Sequence, residues 1–262
     1  LLICAICGFA DLPFFTADLH LHTVLSPCAE EEMFPEFILG RAGELGLDLI
    51  AVTDHNSCEN AAAMLHAAEG TGIVVWPGME VQTREEAHLI CLFDRLDQAL
   101  AWQAAVYAHL PSLRNRPQTF GTQIVLDAEG EVVGTNERLL ATSTSFSVEE
   151  AVQGVRALGG LCIPAHVDRP AYSLITSLGF IPPDLDIPGV EISHLLGPKA
   201  ARARFPQLAR YGLIADSDAH RLSEMRRRTT VKLAHRTVAE LALALAGVED
   251  RGVWVDGVRT TP

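Results

Sequence analysis

The sequence predicts an α/β fold, a closed or nearly closed barrel of about seven strand–helix units. Three observations lead there. Short apolar runs alternate with helical patterns along most of the chain. The number of units favours a sheet that closes on itself over an open one. Six of the ten histidines fall at or just after the ends of strand-like runs. In parallel α/β folds that end of the sheet carries the active site.

The elements follow in order. "LDLIAVTDH" reads as a strand ending in polar residues, and "CENAAAMLHAAEGTG" as a helix stopped by Gly70 and Gly72. "IVVWPGMEV" and "AHLICLF" are strands, and "RLDQALAWQAAVYAHL" is a helix. "SVEEAVQGVRALGG" is a helix with Ser147 as N-cap and Glu150 three residues on, a capping box. The strands "LCIPAH" and "GVEISH" come next, then one helix over "GPKAARARFPQLARYG", then the strand "LIADSDAH". The last stretch, from "TTVKLAH" to "GVWVDG", gives strand, helix, strand.

Residues 94–146 break this rhythm. Within them "QIVLDAEGEVVGT" predicts a β-hairpin turning at Glu129-Gly130. We read this stretch as an insertion near the barrel mouth, within one barrel domain over residues 16–262. Residues 1–15 resemble the apolar part of a signal peptide but lack a basic n-region. A leader or an extension of the first strand is expected there. Cys4 and Cys7 form a C-x-x-C without a partner pair, so neither a zinc nor a redox role is expected of them.

Composition excludes some function classes. The chain has 262 residues, 48% of them hydrophobic, enough for a sizeable core. No stretch reaches the roughly 18 uncharged apolar residues of a membrane span. The formal net charge of −13 disfavours nucleic acid beyond a nucleotide. Bound cations would cancel part of that charge. Six scattered cysteines fit a reducing, cytoplasmic setting.

The candidate chemistry sits at the strand ends. His20-x-His22 puts two imidazoles on one side of a strand, because side chains alternate with period two. "TDHN" adds an acid and His55 after a strand. Each of these alone is equally an ordinary structural feature. Glu80, in "PGMEV", would be costly to bury unpaired, which points to a metal or a base. His88 opens an apolar strand, His166 closes one, and "DSDAH" brings Asp216, Asp218 and His220. His66, His109 and His235 lie in helical or peripheral segments, and His194 is ambiguous. Imidazole mixed with carboxylate suits zinc, manganese or iron better than magnesium or calcium. The donors are too many for one tetrahedral ion, so two or three divalent metals are expected. Such sites activate water and hold both oxygens of a phosphate ester displacement.

Together "DLHLHT", "TDHN", "PGMEV", "IPAH" and "DSDAH", in this order, resemble the PHP (polymerase and histidinol phosphatase) family. The resemblance runs from about residue 16 to 222. It implies a distorted (β/α)7 TIM-like barrel with a trinuclear metal centre, and phosphomonoester hydrolysis by a metal-activated hydroxide. Carried onto this chain, it implies that His20, His22, Glu80 and Asp218 hold one metal. Glu80 would bridge to a second, completed by His88 and His166. His55 and His220 would hold a third. Glu80, His55, Asp218 and His220 are the residues expected at the reacting centre.

This chain departs from the family after His22. Many members read H-x-H-(S/T)-x-x-S-D-G-x-L-T-P, where the Asp serves the third metal. Here Pro27 follows Ser26. Alignment back from Pro35, with a three-residue insertion, puts Glu30 on the missing Asp, with Glu31, Glu32, Cys28 or no ligand from this loop as alternatives. Arg84 and Arg169 follow ligand motifs closely, so both are candidates for holding a substrate phosphate. The expected function is hydrolysis of a small phosphorylated metabolite or nucleotide. The alternatives are a nuclease acting on oligonucleotide ends and a non-catalytic domain stabilised by metal. Amide hydrolysis on a related barrel ranks below these, because Glu80 stands where a bridging lysine would.

Overall fold

A computed structural model describes residues 12–262. Residues 1–11, with Cys4, Cys7 and most of the proposed leader, lie outside the described residues.

The sheet begins with β1 (Phe14–Leu21), followed by α1 (Pro35–Leu45), β2 (Leu49–Val52), α2 (Ala61–Ala67), β3 (Val74–Gln82) and β4 (His88–Leu92). Next come α3 (Leu96–His109), α4 (Pro117–Phe120), and the strands β5 (Ile124–Leu126) and β6 (Val132–Thr135). They are followed by α5 (Val148–Ala157), β7 (Leu161–Pro164), α6 (Leu174–Leu178), β8 (Gly189–Glu191), α7 (Pro198–Arg204) and β9 (Gly212–Ile214). The chain ends with β10 (Thr229–Lys232), α8 (Val238–Leu245), β11 (Gly252–Val255) and β12 (Val258–Arg259).

An eight-stranded sheet runs in the order β12-β11-β10-β1-β2-β3-β4-β7, and β8 pairs with β9 separately. Two sets of backbone bonds curl these into a barrel. Val167 N–H donates to the Glu191 carbonyl, tying the end of β7 to β8. His22 N–H donates to the Ala219 carbonyl, tying β1 to the segment after β9. The ring is therefore β1, β2, β3, β4, β7, β8 and β9, the seven-membered α/β barrel that the alternation predicts. It is not all parallel. β4 runs antiparallel to both β3 and β7, because a tight turn rather than a helix joins it to β3. β5 and β6 form a hairpin apart from the barrel, turning through Gly130 at φ +88°.

The core follows the strand period. On β2, Leu49 and Ala51 join one apolar cluster with Leu241 and Leu245 of α8. Ile50 and Val52 join the other, with Ile38 of α1 and Met64 of α2. Ser147 caps α5 as expected, accepting from Glu150 N–H, while the Glu150 carboxylate accepts from Ser147 N–H. The single helix expected from Gly197 to Gly212 is broken. It stops at Arg204, since Pro206 pushes Phe205 out of the helical region, and a short 3-10 turn follows. Helix α1 was not among the expected elements. No helix among the described residues is long and apolar enough to cross a membrane.

Candidate metal centre

The strand ends bring eight of the proposed ligands to one place. β1 delivers His20 and, just beyond its end, His22. Their rings are 5.3 Å apart on the same side of the strand. His55 follows β2, His166 follows β7, and Asp218 and His220 follow β9. His88 is the first residue of β4, not the last. Since β4 is antiparallel, its start reaches the same mouth. His166 and Asp218 sit at φ +29° and +51°, conformations that non-glycine residues rarely hold. Strain of this kind concentrates at functional sites.

Glu80 is the hub, buried to 1% exposure. Its Oε1 lies 2.7 Å from His88 Nδ1, 3.1 Å from His166 Nε2 and 3.3 Å from His20 Nε2. Its Oε2 lies 2.9 Å from His55 Nδ1 and 3.6 Å from His22 Nε2. Asp218 Oδ1 is 3.1 Å from His22 Nε2 and 3.3 Å from His20 Nε2. Among the described residues, three groups have donor atoms within 4.8 Å of one another: His20–His22–Glu80–Asp218, His55–Glu80–His88, and His22–His55–His220. The first contains the same four residues that the family resemblance gives to one ion.

A second layer orients the imidazoles. His20 Nδ1 is 3.1 Å from both oxygens of buried Glu191, which also accepts from His166 N–H. His22 Nδ1 meets Ser26 Oγ at 2.8 Å, and that hydroxyl donates to Asp54. His220 Nδ1 donates to the Asp218 carbonyl at 3.0 Å. With Nδ1 so engaged, each of these three rings turns Nε2 toward the centre. Glu191, Ser26 and Asp54 were not singled out as site residues. Glu191 did carry a signal, an acid closing the apolar run "GVE" just as Glu80 does in "PGME".

The electrostatics describe a site built for cations. Burial opposes the charge on Glu80, yet His88 and His20 outweigh it and hold the carboxyl well below its usual range. Burial would lower His20, but Glu191, Asp218 and Glu80 hold it well above the ordinary imidazole value. His22 moves the other way, lowered by burial and by its neighbours His220 and His55. Among buried polar atoms, Glu80 Oε2 and His20 Nε2 make ion-pair contacts but no hydrogen bond of good geometry. Both face the centre, and unsatisfied buried groups of this kind are rare without a reason. Divalent ions fit this donor set.

Three expected residues need separate comment. Arg169 stands at the site, its Nη1 2.5 Å from Asp218 Oδ2. It lines a cavity of about 340 Å³ with His55, His88, Tyr172 and His220. Arg84 is not there. Its guanidinium is exposed and pairs with Glu85 at 3.2 Å and Glu150 at 3.8 Å. Glu30 is not there either. Its N–H donates to the His220 carbonyl, but its carboxylate turns outward to Arg221 at 3.1 Å. Glu31 is exposed, and Glu32 accepts from Leu222 N–H. The loop residue facing the cluster is Cys28, with Sγ 3.3 Å from His55 Nε2. The residue is exposed at its outer side; desolvation at the sulfur opposes its ionisation, but hydrogen bonds with His220 and His55 overcome that and pull the thiol down to about 6.

The PHP domain family matches residues 18–170, more than half of the chain. The chain belongs to the PHP domain family. An uncharacterised protein of Methanocaldococcus jannaschii is 26% identical over 188 residues, covering 67% of this chain and 80% of its own. Among solved structures, the lesion-specific endonuclease PfuEndoQ of Pyrococcus furiosus superposes with a TM-score of 0.69 at 19% identity. That match covers 92% of this chain, and this chain spans 58% of the endonuclease. A structure of endonuclease Q with a 27-mer duplex carrying an abasic lesion at its active site gives a TM-score of 0.66. A protein of Bifidobacterium adolescentis, provisionally assigned as a metal-dependent phosphoesterase, gives 0.50 at 20% identity, covering 80% of this chain and 89% of its own. These likenesses establish the PHP-type barrel.

Proposed function

We propose that this PHP domain is a metal-dependent phosphoesterase that hydrolyses a small phosphomonoester, a phosphorylated metabolite or nucleotide. One observation carries this reading. Five imidazoles converge within 3.6 Å of buried Glu80 at the floor of a 340 Å³ cavity, and a single arginine stands on the wall. The size suits a small ligand.

His20, His22, Glu80 and Asp218 would hold one divalent ion. Glu80, His88 and His166, with His55 close by, would hold a second, and His55 and His220 a third. Zinc, manganese and iron all suit this mixture of imidazole and carboxylate. Ions bound there supply Lewis-acid activation of water and neutralise charge on the phosphate. The chain's own side chains do the rest. Glu80 belongs to neighbouring groups through its two oxygens and so fixes their spacing. Arg169 is partly exposed at the cavity wall and can leave Asp218 for the phosphate oxygens, which it would take in bidentate fashion. The buried back wall keeps bulk water from the reacting centre. Glu80, His55, Asp218 and His220 surround the position that the phosphate takes.

A second reading is a nuclease. The likeness to a lesion-specific endonuclease, over nearly the whole chain, favours it. The net charge of −13 and the small cavity weigh against a long nucleic acid. The test replaces His20 and His22 by Ala and compares a phosphomonoester panel with a short single strand and an abasic duplex. Small-substrate hydrolysis that disappears in the variant supports the first reading. Unchanged hydrolysis in the variant refutes it, and turnover of the DNA substrates alone selects the second.

A further inference from the structure

We propose that Cys28 is a metal ligand in this chain, its thiolate joining His55 and His220 as the loop donor to the third, zinc-like ion. The inference rests on the metal-centre reading above and names a donor that the family pattern does not supply.

The position of Cys28 is built. Ser26 N–H donates to the Thr23 carbonyl, and Ala29 N–H to the Ser26 carbonyl, so the Ser-Pro-Cys segment is a tight double turn. Ser26 Oγ is fixed from three sides by His22 Nδ1, His55 N–H and Asp54. The inserted segment presses on this turn from outside. A Cβ at Gly121 would lie 1.8 Å from the Pro27 carbonyl oxygen, so only glycine permits the approach. These restraints put Sγ 3.3 Å from His55 Nε2. For two donors on one tetrahedral zinc, bond lengths of about 2.3 Å to sulfur and 2.0–2.1 Å to nitrogen require a separation near 3.5 Å.

Independent observations point the same way. His55 and His220 already gather there, their donor atoms within 4.8 Å of one another and of His22. Beside them lies Glu80 Oε2, buried and aimed inward, 2.9 Å from His55 Nδ1 but without a hydrogen bond of good geometry. The competing carboxylates are engaged elsewhere, Glu30 with Arg221 and Glu32 with Leu222 N–H. One thiolate with two imidazoles suits zinc or cobalt better than manganese or magnesium.

Cobalt loading tests this. The protein carries Cys4→Ser and Cys7→Ser to remove the C-x-x-C pair, and Cys58, Cys91 and Cys162 are buried. After stripping with a chelator it is titrated with Co(II), following bound cobalt and near-ultraviolet absorption. Thiolate-to-cobalt charge transfer is expected. Cys28→Ser should abolish it and weaken one ion by more than the roughly 10–100-fold that losing an orienting partner costs. Glu30→Ala should change neither readout. Cobalt bound without the band, or a band that survives Cys28→Ser, overturns the role of Cys28 alone. No bound cobalt at all overturns the metal-centre reading, and the proposal with it.

Discussion

Glu191 stands behind His20 and holds its Nδ1 with both oxygens at 3.1 Å, while also accepting the His166 amide. One buried carboxylate thus sets the orientation of two rings at once. Glu191→Gln keeps the volume but exchanges a carboxylate for an amide. It should lower the affinity of the ion that His20 would hold by roughly 10–100-fold, with the fold intact, as metal titration would measure. An unchanged affinity would mean that His20 is oriented by packing alone. At this scale the sequence showed which imidazoles lie at strand ends, because motif and strand end coincide. It did not show the layer behind them. Glu191 is 171 residues from His20, and no local pattern joins them. The direction of the loop side chains was not legible for a similar reason. Glu30 has the right backbone position, but Arg221, distant in the chain, draws its side chain away.

Helix α8 shows what caps contribute at the scale of an element. Thr237 accepts from Glu240 N–H, while the Glu240 carboxylate accepts from Ala234 N–H at 2.7 Å. Arg251 reaches it from the β11 side with two bonds of 2.7 and 2.9 Å. The Arg251 hydrogen bonds outweigh desolvation and hold this carboxyl below its ordinary value. A lowered carboxylate stabilises the fold above the ordinary glutamate range, and that stability is lost as pH falls through the lowered value. Glu240→Gln should therefore cost about 1 kcal/mol at neutral pH, discounted for its place near the surface. The cost should shrink on acidification, which denaturant unfolding at pH 7 and pH 3 would reveal. A difference that persists unchanged at pH 3 would exclude the charge as its source. Elements with strong periodicity or a capping box were legible, as α5 was. Helix α1 has its own signals, Pro35 at the first turn and Gly46 at φ +65° past the end. The break in α7 was readable too, since Pro206 stands in the middle of the expected helix.

For the whole molecule, closure of the seven-stranded ring is what gathers donors from across the chain. The Ala219–His22 bond brings the segment after β9 against the end of β1, so residues 20 and 220 share one site. The alternation of elements made the barrel legible, but not the antiparallel β4, because a strand's direction depends on how its connection packs. That reversal is why His88 works from the start of a strand. The central claim is that this site performs metal-dependent phosphoester hydrolysis. Phosphate release from a panel of phosphomonoesters, measured on chelator-stripped protein before and after adding zinc, manganese or iron, tests it most directly. Hydrolysis that is absent after stripping and restored by a metal is the expected result. A rate indifferent to stripping, or none with any metal, would contradict it.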